Sequence, residues 1–239
     1  MEENIDEKEK LKSILKKEVT KLQTVIIVGV ILFIFIFIPM CVMIVNGANS
    51  VMDQSITHKP IIYLYPTEET KISVNLLNQE KITCSYPKYT SGWNVFAKPN
   101  GDLVDLDSGR SLYSLYYESK NTTEPHMTDE GFIVNGEDSA QFLEEKLKIL
   151  GLNEREAEEF IIYWLPKLES NKYNYIRFAT IDEINENMPL EITPTPDTII
   201  RVLMIFKGLN KKIDINEQQL LTPERNGFVV VEWGGTEVK

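Results

Sequence analysis

A chain of 239 residues with 36 acidic and 25 basic side chains carries a formal charge of −11 at neutral pH. Residues 1–45 balance six lysines against six carboxylates, so the whole excess belongs to residues 46–239, where no cluster of Lys and Arg occurs; this argues against nucleic acid, whose binding needs a basic surface to displace counterions. Of the two cysteines only Cys84 lies outside the apolar run at 24–45, which excludes an internal disulfide framework and a cysteine-based zinc site.

In residues 1–23, Leu11, Ile14, Leu15, Val19 and Leu22 recur at helical spacing opposite Lys12, Lys16, Lys17 and Lys21. The pattern predicts an amphipathic tail helix. It is either a solvated extension of the apolar run or a segment that pairs with a second copy or lies on anionic headgroups. Thr24 to Val45 (TVIIVGVILFIFIFIPMCVMIV) holds twenty-two uncharged positions. At about 1.5 Å per residue it covers roughly 33 Å, enough to cross about 30 Å of hydrocarbon, and it predicts a transmembrane helix. Lys8, Lys10, Lys12, Lys16, Lys17 and Lys21 precede it, whereas residues 46–65 carry only Lys59. That asymmetry puts the N-terminus in the cytoplasm and the C-terminal part outside. Ala48-Asn49-Ser50 has the form of a signal-peptidase site, but the apolar core is longer than the roughly 7–15 residues of a cleaved signal. Met40 is too bulky to precede a lipidated Cys41. The polar, aperiodic residues 46–59 read as a stalk, and the fold is expected to begin at Pro60.

Within 60–118, strands are predicted at 61–65, 71–77, 81–86, 93–97, 103–106 and 112–118 from apolar runs or period-two alternation separated by Pro, Gly and Asn. The density of short strands points to a sandwich or a strongly curved sheet. Within 131–239 a brief strand at 131–134 precedes two helices. The first is capped by Asp138 or Ser139, with Phe142, Leu143, Leu147 and Leu150 on its apolar face and Gly151 as its stop. The second is capped by Asn153 and runs from Glu154 to about Leu168, where Pro166 is expected to kink or end it. Strands resume at 173–179, 190–193, 198–206 and 227–233, the run TIIRVLMIF reading as a central strand because both faces are apolar apart from Arg201. Residues 60–239 are therefore expected to be an α+β domain, β-rich with one helical hairpin packed on a sheet.

The phrases KPIIYLYP (59–66), SYPKYTSGWNV (85–95), GFIVNGED (131–138), IIYWLPKLESNKYN (161–174), PLEITPTPDTIIRV (189–202) and GFVVVEWGG (227–235) resemble an uncharacterised microbial domain family. The resemblance spans nearly all of 60–239, implies one coherent unit and carries no activity. The tail and span fall outside it.

Only His58 and His126 are present, one in the predicted stalk and one in a loop, which leaves little room for nucleophilic triads or a histidine metal site, and no cofactor is implied. Cys84 alternates with Ile82 and Tyr86 and is expected to be a packed core thiol. Carboxylates remain as acid/base candidates: Glu118 ends an aromatic strand, Glu137 stands at a helix entrance, and Glu232 lies between Val231 and Trp233. Two of them brought about 5–10 Å apart could hydrolyse a glycan. The alternative for Glu232 is an edge-strand position facing water or paired with Arg177 or Arg201, and Arg201 itself needs a carboxylate partner because an unpaired buried charge is very costly. The aromatic residues Tyr65, Trp93, Tyr116 and Trp233 are the candidate ligand-binding side chains, since flat faces with polar edges suit sugars and peptides. The favoured function is a membrane-anchored, non-enzymatic module of the cell envelope that binds a wall polymer, peptide or neighbouring protein. A carboxylate-dependent glycan or peptide hydrolase and a structural subunit of a membrane assembly are the alternatives.

Overall fold

The computed structural model describes residues 21, 33–35, 37 and 55–238. The tail and most of the predicted span and stalk lie outside the described residues. Lys21, Phe33, Ile34, Phe35 and Phe37 are helical, and the rings of Phe33 and Phe37 stack with centroids 4.3 Å apart, the i, i+4 contact of a helix. Among the described residues no helix is long and apolar enough to cross a membrane.

Residues 55–238 are α+β and β-rich, with thirteen described strands in two sheets. The larger sheet has eight strands in the order β12 (Asn216–Glu217), β8 (Glu130–Asn135), β9 (Tyr173–Phe178), β11 (Thr198–Leu209), β13 (Val229–Glu237), β1 (Ile56–Tyr65), β7 (Leu115–Lys120) and β3 (Ile82–Tyr86). The smaller runs β10 (Leu190–Thr193), β2 (Thr70–Leu76), β4 (Trp93–Ala97), β5 (Leu103–Asp105) and β6 (Ser111–Leu112). Three helices complete the unit: α1 (Ser139–Ile149), α2 (Glu154–Glu169) and α3 (Ile181–Asn187).

Alternation along the central strands builds three layers. Ile61 and Tyr63 of β1, Tyr116 of β7 and Val229, Val231 and Trp233 of β13 pack with Leu143, Leu147, Phe160, Trp164 and Leu168 of the helical hairpin. Their neighbours Ile62, Leu64, Leu115, Tyr117 and Val230 pack with Ile72, Val74, Leu76, Trp93 and Val95 of the smaller sheet. The large sheet is thus the shared middle layer, which explains why β11 reads as apolar on both faces apart from Arg201.

Several boundaries differ from the sequence-based ones. β1 begins at Ile56, inside the segment read as a stalk, and Ser55 and Thr57 are already buried. The predicted strand 112–118 is two: Ser111–Leu112 closes the small sheet and Leu115–Lys120 joins the large one. Helix α2 continues through Pro166 to Glu169. Trp164 and Leu168, fully buried on the same face, hold its last turn against the sheet despite the lost backbone donor. Helix α3, absent from the sequence reading, is fastened by a capping box between Thr180 and Glu183.

Candidate functional site

Three of the sequence-predicted side chains are committed to the interior. Glu232 lies on a central strand rather than an edge, in register with Arg201 of the parallel neighbour β11. It accepts from Arg201 Nε at 2.5 Å and from the Tyr117 hydroxyl at 2.7 Å, while Arg201 also donates to Asn185 Oδ1 and the Met188 carbonyl. The two side chains are 2% and 5% exposed. Burial works against the Arg201 charge, but Glu232 and Tyr117 together outweigh it and hold Arg201 above its ordinary range. Burial and Glu232 together push the Tyr117 phenol far up. Trp233 is wholly enclosed against Phe160, ring centroids 5.3 Å apart, and Trp93 is buried between the sheets with Nε1 donating to the Pro87 carbonyl. Neither indole presents a face to a ligand, because alternation on a middle-layer strand and on its covering sheet turns both inward.

The candidate carboxylates do not converge. Glu118 and Tyr116 share the helix-side face of β7, whereas Glu232 shares the opposite face with Tyr117. Glu137 is exposed on the turn between β8 and α1. Four strands separate β8 from β7, which at about 4.8 Å per strand puts roughly 24 Å between Glu137 and Glu118. Cys84, expected in the core, is exposed, because β3 is the last strand of its sheet. Cys84 pairs across with Glu118, and Tyr86 with Tyr116.

What gathers around Glu118 instead is a seam along α2. The register of β1 shifts between His58 and Ile61, and Lys59 sits in the left-handed region with φ 60. That conformation costs a residue with a Cβ about 1–2 kcal/mol. The bulge presses on Gly234, and helix α2 presses on Gly235. A Cβ on Gly234 would lie 3.2 Å from the His58 carbonyl oxygen, and one on Gly235 would lie 2.6 Å from the Trp164 ring. From this bulge His58 Nδ1 reaches within 3.3 Å of Glu118 Oε1, and Lys59 Nζ stands 5.5 Å from the ring centroids of both Tyr116 and Tyr163.

Further along α2, Glu159 accepts from the Tyr63 hydroxyl at 2.8 Å, and Arg155 lies 4.6 Å from the ring of Tyr113. Arg225 lies 5.3 Å from Tyr65 while making a two-pronged pair with buried Glu156. Tyr63 neighbours Tyr65 and Tyr113 at 6.4 and 6.5 Å between centroids. At the sheet edge Arg110 lies over Tyr86. Tyr113 and Tyr86 are 43% and 47% exposed, so this end of the seam is open. Burial first, then the neighbouring carboxylates Glu159, Glu156 and Glu118, push the phenols of Tyr63, Tyr65, Tyr116 and Tyr163 above 10. They therefore remain protonated donors well into alkaline pH. No protein-family model, curated protein or solved structure matches the chain.

Ring faces, phenol donors, carboxylate acceptors and cations thus alternate along one helix, the composition that holds polar ligands with flat apolar faces. Tyr65, Tyr116 and Glu118 of the expected residues belong here. His58, Lys59, Tyr63, Tyr113, Arg155 and Tyr163 were missed. The available signal was the glycine pair after Trp233, since glycine inside a strand often marks a bulge or a close approach; here Gly234 meets the β1 backbone and Gly235 the Trp164 ring. Among the described residues no three His, Cys, Asp or Glu side chains are placed to hold a metal ion. A second cleft of about 140 Å³ lies between α3 and residues 121–126, lined by Arg177 and Glu183 together with Pro125, Leu203 and Ile205. Its Asn121 is buried, donating to Ser55 Oγ, while Thr122 and Thr123 are exposed.

Proposed function

We propose that this is a single-pass membrane protein of the cell envelope, anchored by residues 24–45 with its N-terminus in the cytoplasm, and that the domain from Ser55 onward is an extracytoplasmic binding module. The tyrosine seam along α2 is its ligand face, and a wall glycan strand with its peptide substituents is the ligand. One observation carries this reading: Tyr65, Tyr113, Tyr116 and Tyr163 line one helix, each ring beside a charged side chain, while Tyr63 is buried and bonded to Glu159. Sugar rings stack on such faces while their hydroxyls meet donors and acceptors at the edges. The hydrolase alternative lacks support because Glu118, Glu137 and Glu232 stand on different faces and edges. The alternative of a structural subunit has the apolar groove at Leu152, Ala157, Ile161 and exposed Ile162 in its favour.

The test uses the full-length protein in lipid nanodiscs, sedimented with purified wall sacculi. Tyr113→Ala and Tyr116→Ala should each lower the apparent affinity roughly tenfold, the equivalent of about 1.4 kcal/mol from one lost aromatic contact. Glu191→Ala, on the small sheet, should leave it unchanged. No binding by the unmodified protein, or full binding by both tyrosine variants, would remove the seam from consideration.

A further inference from the structure

We infer that Tyr116, Tyr163 and Glu118 form a cage for a primary ammonium group of the ligand, and that the chain's own Lys59 fills this cage until the ligand's amine displaces it. This rests on the reading of the seam as the ligand face and adds to it the chemical group recognised and a built-in competitor.

The geometry is that of an ammonium site. Lys59 Nζ lies 5.5 Å from both ring centroids, inside the roughly 6 Å within which a cation is drawn to an aromatic face. The rings come from different elements, β7 and α2, and the cation from a third, β1. Glu118 adds negative charge to the same spot, being the carboxylate felt by both phenols. Tyr163 also has Lys167 Nζ 4.9 Å from its centroid. The occupant is weakly held: among the described residues no carboxylate stands within salt-bridge distance of Lys59, and the side chain is only half-buried. Nor is its position a by-product of regular pairing. A bulge, a left-handed non-glycine residue and the close approach of the bulge backbone to Gly234 accompany it. Bulges of this kind re-aim side chains beside functional sites.

A tethered lysine competes at an effective concentration in the millimolar range. A ligand whose amine arrives together with contacts to Tyr113 and Tyr86 can therefore displace it, whereas a free small amine cannot. Removal of Lys59 opens the cage to small amines.

The two sources of such an amine are a peptide lysine-type side chain and an amino sugar, and the probes separate them. Full-length protein in nanodiscs, carrying fluorotyrosine as reporter, is titrated with Nα-acetyl-lysine methylamide, with glucosamine and with N-acetylglucosamine. Lys59→Ala should bind at least one of the two amines tenfold or more tighter than the unmodified protein, with no gain for the acetylated sugar. Adding Glu118→Gln should erase the gain. Whichever amine gains identifies the source, and a gain for both assigns the shared ammonium. Three results would overturn the proposal: no gain for either amine, an equal gain for N-acetylglucosamine, or a gain that survives Glu118→Gln. Should Lys59→Ala fold poorly, Lys59→Gly serves in its place, since the left-handed backbone suits glycine. Sacculus binding without an amine gain defeats the cage alone. An amine gain without sacculus binding defeats the wall-polymer reading alone.

Discussion

Arg201 and Glu232 show how a single residue constrains its surroundings. A guanidinium inside TIIRVLMIF has to meet a carboxylate, so the existence of a partner follows from the cost of an unpaired buried charge. Its identity does not, since Arg201 and Glu232 are 31 positions apart and meet only because β11 and β13 run parallel in register. Glu232→Gln should lower unfolding stability in urea by about 3 kcal/mol, leaving Arg201 buried without its counter-charge, and Arg201→Met with Glu232→Met should recover most of that loss. Equal losses in the single and double variants would mean the pair matters through packing alone. Lys59 makes the opposite case. Nothing in the identity of a lysine signals a positive φ, so its placement over Tyr116 and Tyr163 had no local sign in the sequence.

At the scale of elements, legibility followed length and periodicity. Helix α2 was plain from Ala157, Phe160, Ile161, Trp164, Leu165 and Leu168 behind the Asn153 cap, and the capping box with Glu156 is present. Helix α3, seven residues long, has too few turns to show a stripe, and tertiary ties hold it. Burial raises the Glu183 carboxyl, but two bonds from Arg177 and those from Thr180 outweigh it and hold Glu183 below 4.5. A carboxyl depressed in the folded state contributes stability that is present above its ordinary value and is lost as pH falls through the lower, folded one. Hydrogen exchange at the Ile184 and Met188 amides should therefore quicken as pH drops below 4.5 after correction for intrinsic rates. In Glu183→Gln the protection should be lower at neutral pH and flat across that window. An identical acid dependence in the variant would place the sensitivity elsewhere.

For the whole molecule, the membrane reading and the layered fold meet at Cys84. It is exposed on an edge strand, while Cys41 falls in the apolar run. A membrane-impermeant maleimide should label intact cells expressing the full chain, and Cys84→Ser should abolish that labelling. Labelling only after lysis would put the domain on the cytoplasmic side and refute the orientation. Composition, the charge-free run at 24–45 and period-two and helical spacing were enough to indicate an acidic α+β domain with a helical hairpin and an expected anchor, because these are properties of contiguous residues. Three outcomes depended on the folded chain: which sheet each strand joined, that Trp93 and Trp233 face inward while Cys84 faces out, and that His58 and Lys59 stand beside Glu118. They depend on strand order and on a bulge opposite two glycines, contacts between residues far apart in the chain, whose energies no local window contains.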